Sequence, residues 1–283
     1  MADLPESVYR LVRMAVEEDL GSGDITSEAT LDPEICGKAC IITREPLVCC
    51  GPCIVNLVFE ETGPGVSIHW NVSEGEDVAP GAVMAELEGP MRVLMAGERT
   101  ALNFLQRMCG VATLSRSFAR KASGRTVILD SRKTIPGWRW LDKRAVRVGG
   151  CANHRMGLFD GFLIKDNHIA ACGSIRNAIT RVKEYGTRGL PVEVEVENLR
   201  GLEEAIECGA DIVMLDNFRP EGIGEAVRLA AGRVRLEVSG RLTLKTLSPF
   251  LDVEGVDFMS VGELTHSARA MDIAMEVRGS SRS

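Results

Sequence analysis

Between Arg132 and Lys165 the chain carries eight Lys or Arg residues against two acids, Asp142 and Asp160, although its formal net charge is −7. A local positive excess on an acidic background suits a pocket for a small, highly charged anion better than a surface for polyanions. The basic residues fall into two groups. Arg139, Lys143, Arg144 and Arg147 sit at helical spacing and read as a solvated helix face. Arg132 and Lys133 follow the apolar run VILD, and Lys165 follows GFLI. Those are strand ends, where α/β folds gather their ligand-binding groups. His154 and Arg155, after Gly149-Gly150, join the second group, with His154 open to three roles: cation, hydrogen-bond donor or core histidine. His168 and His266 read as local hydrogen-bond partners.

Acids and small residues recur downstream at a fixed interval. Glu195 to Asp216 is 21 residues, Asp216 to Ser239 is 23, and Ser239 to Ser260 is 21. That is the length of one strand, one helix and their loops, and each polar residue stands at a strand's end. The pattern predicts a (β/α) barrel with its site on the C-terminal rim. Ser239-Gly240 and Ser260-Val261-Gly262 are candidate phosphate cradles, because Gly lets backbone N–H groups approach and a following helix N-terminus favours negative charge. Glu195 and Asp216 are candidates to hold a divalent metal, bind sugar hydroxyls or stabilise a cation, with an ion pair to Lys165 or Lys133 as the structural alternative. Glu193 and Glu197 share Glu195's face, so alternation leaves open which glutamate points inward. Basic groups, carboxylates and phosphate turns on one rim suit a phosphosugar beside a second anion. Lys165 after an apolar strand also fits a Schiff-base aldolase, and a non-catalytic phosphosugar-binding barrel is a further alternative.

These residues need two kinds of scaffold. From Val127 onward six short β-branched runs (VILD, GFLIK, VEVEV, DIVMLD, RLEVSG, DFMSVG) alternate with helical segments, fewer than the eight strands of a full barrel. Before them, apolar runs broken by Gly and Pro, with an entry helix over 6–20 and another near 52–61, predict an α+β sandwich. Residues 92–122 read as two helices broken at Gly110, with Arg99 one turn from Asn103. The expected organisation is an N-terminal sandwich over 1–110, an incomplete α/β barrel over 111–270, and a C-terminal tail over 271–283 whose last residues, RGSSRS, fray.

Composition excludes several classes. The acidic balance argues against nucleic acid as a partner. No apolar run reaches the roughly 18 residues of a membrane helix, and the N-terminus lacks a signal-peptide pattern, so a cytoplasmic protein is expected. The nine Cys are then reduced thiols. Cys49, Cys50 and Cys53 cluster without enough His for a metal site, and Cys151 reads as a packing residue.

The segments ERTALNFLQRMCG, SRKTIPGWRWLDKRAV, GGCANHRMGLFDGFLIKDNH, EVEVENLRGLEEAIECGADIVMLDNF and EVSGRLT resemble the quinolinate phosphoribosyltransferase family, in order and from EDLGSGDIT to VGELTHS. Intact NHRMGL and IKDNH favour that family over a paralogous one associated with molybdenum transport genes. The resemblance implies a glycosyltransferase of de novo NAD biosynthesis. It would transfer phosphoribose from 5-phosphoribosyl pyrophosphate to quinolinate with decarboxylation, giving nicotinate mononucleotide, pyrophosphate and carbon dioxide. It implies that Arg99, Arg132, His154, Arg155 and Lys165 surround quinolinate, with Lys133 between quinolinate and pyrophosphate. It implies that Glu195 and Asp216 contact ribose hydroxyls and magnesium. It further implies a homodimer, or a higher assembly of dimers, in which the neighbouring subunit supplies Arg99. Against the family pattern, Cys151 replaces a third Gly, Ile135 a Thr, Arg144 a Tyr, and Arg241 a Gly or Asn.

Overall fold

The computed structural model describes residues 4–282 and divides the chain into two compact units. The first comprises residues up to Arg116, Ile135–Gly150 and Ala268 onward; the second comprises Ser117–Thr134 and Cys151–Ser267.

The first unit opens with α1 (Glu6–Leu20), whose Val8, Val12 and Val16 recur every fourth residue and are all buried. The short α2 (Ile25–Thr30) is capped by Asp24, which accepts the backbone N–H groups of Thr26 and Ser27. Strands β1 (Ile35–Thr43) and β2 (Leu47–Val48), helix α3 (Pro52–Thr62), and strands β3 (Ser67–Trp70), β4 (Asp77–Val78) and β5 (Val83–Pro90) follow. The long α4 (Met91–Ala122) comes next, and the unit boundary falls within it after Arg116. Gly110 does not break this helix. A side chain there would meet the Arg269 carbonyl oxygen at 1.9 Å, so the glycine serves a close chain crossing.

Two expectations for this unit are corrected. The tail does not fray over its described residues, and Ser283 lies outside them. It forms β12 (Ile273–Arg282), antiparallel to β1 from Ile35↔Arg282 to Thr43↔Ile273, in a sheet ordered β12-β1-β5-β3. It pairs with β1 as an edge strand, with a register shift between Lys38 and Ala39, and composition alone could not reveal that pairing. Residues 135–150 also pack with the first unit. Helix α5 (Arg139–Val148) is held there by Asp142, which receives Arg107 at 3.1 Å, while Trp138 before it stacks on Phe104 at 4.8 Å. It is not a solvated face either: Lys143 is 1% exposed, Arg144 pairs with Glu74, and Arg147 stays exposed.

The second unit holds β6 (Val127–Leu129), β7 (Phe162–Ile164), β8 (Val192–Val196), β9 (Ile212–Asp216), β10 (Arg235–Ser239) and β11 (Phe258–Ser260). These are the six runs expected from the sequence. They form one parallel sheet ordered β6-β11-β10-β9-β8-β7, with β6 and β7 as its edges. Connections run through α6 (Asp166–Cys172), α7 (Ile175–Tyr185), α8 (Leu199–Glu207), α9 (Pro220–Ala230), α10 (Ser248–Leu251) and α11 (Glu263–His266). Parallel strands covered on both faces must be apolar throughout, and Val194, Val213, Leu215, Val238 and Met259 are buried to 1% exposure or less. Against that background the charged residues within these strands stand out.

Candidate active site

A cavity of about 550 Å³ opens at the C-terminal ends of the second unit's strands. It is lined by Arg132 and Lys133 beyond β6, His154 and Arg155 before β7, and Lys165 just after it. Glu195, Asp216, Ser239, Gly240, Ser260 and Gly262 complete the set of rim residues expected from the sequence. Arg99 is not among them: it is exposed on α4 in the first unit.

The basic part is prepared for an anion. The Nε atoms of Arg132 and Arg155 are buried without a hydrogen-bond partner. An orphaned buried donor costs about 1–3 kcal/mol, which a bound carboxylate would relieve. Burial, and then repulsion from the Arg132 guanidinium, push the Arg155 pKa down. Arg155 is anchored through Nη1, which donates to the Gly161 carbonyl at 2.9 Å. Lys133 is held through its backbone: its N–H donates to Ser131 Oγ at 3.1 Å and its carbonyl accepts from Thr265 Oγ1 at 2.8 Å. Its stem lies against Gly262, where an added Cβ would stand 3.2 Å from Lys133 Cδ.

The acidic part is at the mouth. Lys165 Nζ donates to Glu195 Oε2 at 2.7 Å, and Lys165 is 43% exposed. That environment lacks the desolvation a Schiff-base lysine needs. Asp216 has its pKa raised by burial first and by Glu195 second, with Lys165 and Lys133 acting in the opposite sense. Glu195 and Asp216 together offer an all-oxygen donor set, which suits magnesium bound jointly with a substrate phosphate. Asn217, at φ +56, donates through Nδ2 to Asp216 Oδ2 at 2.6 Å.

Beneath the mouth lies a layer the sequence reading passed over. Glu193 on β8 and Glu237 on β10 are 5% and 1% exposed. His154 Nε2 faces Glu193 Oε2 at 3.1 Å and Glu237 Oε2 at 3.7 Å. His154 Nδ1 accepts the Arg155 backbone N–H at 2.8 Å. Both ring nitrogens face protein groups, while the ring also lines the cavity. Ser260 likewise donates its hydroxyl to Glu237, and the Val261 N–H donates to the Leu129 carbonyl at 2.9 Å. The Ser260 hydroxyl and the Val261 N–H are thus engaged within the protein, although Ser260 and Gly262 both line the cavity. Burial, and then Glu193, push the Glu237 pKa up to about 8. Ligand atoms of His154, Glu193 and Glu237 all lie within 4.8 Å of one another. With a proton held on Glu237 the group reads as a carboxyl–carboxylate pair. Buried Asp130 shapes the same region, accepting from Asn153 Nδ2 at 2.7 Å and from the His154 N–H at 2.9 Å. The available signal for Asp130, Glu193 and Glu237 was an acid inside or ending an otherwise apolar strand run.

The phosphate turns differ. Gly240, at φ +121, has no room for a side chain, since a Cβ would meet Asn217 Oδ1 at 2.6 Å. The next helix, α10, begins only at Ser248, so no helix N-terminus backs this turn as expected. Gly262 directly precedes α11, a single turn. His168 Nδ1 accepts the Lys165 backbone N–H at 3.0 Å, and His266 Nδ1 lies 2.6 Å from Ser267 Oγ, both local roles as read from the sequence. Cys151 is buried and its pKa is pushed up to about 12 by burial, consistent with a packing thiol.

Family models for the quinolinate phosphoribosyl transferase N-terminal and C-terminal domains match residues 24–109 and 111–276. A probable nicotinate-nucleotide pyrophosphorylase [carboxylating] of Bacillus subtilis (strain 168) is 40% identical over 267 residues, covering 94% of this chain and 92% of that protein. The chloroplastic nicotinate-nucleotide pyrophosphorylase [carboxylating] of Arabidopsis thaliana is 38% identical, covering 94% of this chain and 82% of its own length. The solved nicotinate-nucleotide pyrophosphorylase of Francisella tularensis superposes with a TM-score of 0.93 at 43% identity, over 98% of each chain. The chain belongs to the quinolinate phosphoribosyl transferase family.

Proposed function

We propose that this chain transfers the phosphoribosyl group of 5-phosphoribosyl pyrophosphate to quinolinate and decarboxylates the adduct, as an enzyme of NAD biosynthesis. The observation that carries the reading is the pair of buried, unpartnered guanidinium Nε atoms of Arg132 and Arg155 in a cavity that also holds Glu195 and Asp216. Planar guanidinium forks match a rigid dicarboxylate. Lys133, packed on the Gly262 turn, supplies charge between the dicarboxylate and the departing pyrophosphate.

The chemistry follows from charge placement. The pyridine nitrogen of quinolinate forms a bond to the anomeric carbon as the bond to pyrophosphate breaks, and the electron pair leaves with pyrophosphate. The sugar ring becomes cationic in that transition state, and the Glu195 and Asp216 carboxylates stabilise it. Magnesium held by Glu195 and Asp216, directly or through water, would neutralise the leaving pyrophosphate. The ring nitrogen then carries positive charge. That charge stabilises the carbanion left on the ring carbon when the adjacent carboxylate leaves as carbon dioxide, and a proton from water on that carbon completes nicotinate mononucleotide. Holding both substrates in register is the protein's main contribution.

Arg99 fits this scheme as a group supplied by a second copy of the chain in a dimer, because it is an exposed cation on α4 outside the unit that holds the cavity. Mixing Arg99→Ala and Lys133→Ala proteins, each nearly inactive alone, should restore about a quarter of wild-type activity through heterodimers with one intact site. No recovery, once subunit exchange is shown, removes the shared site. A cytoplasmic location accords with the reduced thiols and with the lack of any helix, among the described residues, long and apolar enough to cross a membrane. The reaction itself is tested by carbon dioxide release from carboxyl-labelled quinolinate. Release that depends on 5-phosphoribosyl pyrophosphate supports the assignment, and its absence in folded protein overturns it.

A further inference from the structure

We infer that Arg241 is an additional ligand for the substrate's phosphate monoester, supplying at the Ser239–Gly240 turn the positive charge that a helix N-terminus would otherwise provide. The inference rests on the phosphoribosyl reading above and deepens it at one subsite.

Three observations converge on this residue. First, its backbone is strained. Arg241 has φ +48, in the left-handed region that disfavours a residue with a Cβ, and it directly follows Gly240 at φ +121. The strain is imposed from both sides. Gly240 is pressed against Asn217, and Leu242 is buried at 4% exposure. The loop beyond is closed by Thr243 and Thr246, whose backbone and side-chain groups hydrogen-bond to each other. Glycine would fit this position without cost, yet a long cationic side chain occupies it.

Second, that side chain lines the cavity. Among the described residues no ion pair or hydrogen bond engages its guanidinium, whereas Lys165 is tied to Glu195 and Arg155 to Gly161. Third, the Ser239–Gly240 turn needs a cation. Its strand is not followed by a helix until Ser248, so the macrodipole that assists phosphate binding elsewhere is missing. A guanidinium forks onto two phosphate oxygens and replaces that missing charge.

The test uses Arg241→Gly and Arg241→Lys in the full-length enzyme. Arg241→Gly relieves the strain and removes the charge, so two readouts should move in opposite directions. The melting temperature should rise by about 2–4 °C, while KM for 5-phosphoribosyl pyrophosphate rises about tenfold. KM for quinolinate and kcat should stay within about twofold. Arg241→Lys keeps both strain and charge. It should melt with the wild type and recover most of the affinity. Inhibition by ribose 5-phosphate should weaken about tenfold in Arg241→Gly, while inhibition by inorganic pyrophosphate holds. An unchanged KM for 5-phosphoribosyl pyrophosphate overturns the proposal. So does a weakened response to pyrophosphate in place of ribose 5-phosphate, or a uniform loss of stability and of every constant. A wild-type protein that does not consume 5-phosphoribosyl pyrophosphate with quinolinate sinks the proposed reaction instead. Calorimetric titration of wild type and Arg241→Gly with ribose 5-phosphate then still decides the role of Arg241.

Discussion

Glu195 and Glu193 stand two residues apart on β8, on the same side of the strand, and live under different conditions. Glu195 reaches the mouth, where it is 15% exposed and paired with Lys165 at 2.7 Å. Glu193 lies beneath it at 5% exposure, beside His154 and Glu237. On the neighbouring strands the same contrast separates Asp216 at the mouth from Glu237 in the floor. Depth along the strand therefore sorts like residues into two kinds. Mouth carboxylates lie near Lys165 and Lys133 and can meet a developing cation. In the floor, burial favours the protonated form of Glu237, and the two carboxyl groups face His154 and Ser260. Side-chain period decides which way an acid points, and the strand's end decides whether it faces substrate or protein.

The largest expected break in this contrast is at the mouth. Asp216→Asn should lower turnover by about 10²–10³-fold, because it removes a carboxylate aimed at developing charge. Its melting temperature should hold or rise slightly, since burial already makes the ionised form costly. Steady-state rates with circular dichroism melts check both, and a small rate effect with a large fall in stability would move Asp216 into the floor class. Glu195→Gln comes next. We expect roughly a tenfold loss of turnover, with melting unchanged within about 2 °C, because a half-exposed ion pair contributes little to stability. A stability loss as large as a core substitution gives would make the Lys165 pair structural.

The smallest effect sharpens the floor. A carboxyl whose folded pKa is about 8, against 4.5 unfolded, binds more protons in the native state between those values. Its contribution to stability is fully present below about pH 4.5 and is lost as pH rises towards 8. Glu237→Gln mimics the protonated form and should match wild type near pH 5 but melt about 2–5 °C higher near pH 8.5. Turnover at neutral pH should change less than in either mouth variant. A melting difference independent of pH would show that Glu237 does not hold the proton.

Much of the site was legible because strand-end residues announce themselves by spacing. Arg132, Lys133, Lys165, Glu195, Asp216, Ser239 and Gly262 all reach the same cavity, as their recurrence after apolar runs predicted. His154 and Ser260 reached it too, yet their hydrogen-bonding groups turned to Glu193, Glu237 and a backbone N–H. Nothing in local sequence separates a side chain that lines a cavity from one that serves a buried neighbour.

The sequence by itself determined the six strands, the rim they share and the excess of cations upon it, because apolar strand runs and the strand-plus-helix interval are local properties of the chain. The tertiary structure alone decided three matters. It drew residues 273–282 into β1's sheet and α5 into the first unit, since strand pairing and the Arg107–Asp142 contact join residues far apart in sequence. It kept α4 continuous through Gly110, because the need for that glycine lies in the carbonyl of Arg269 crossing above it. It also set the depth at which each acid sits. Desolvation depends on everything packed around a carboxyl, and no stretch of one strand contains that information.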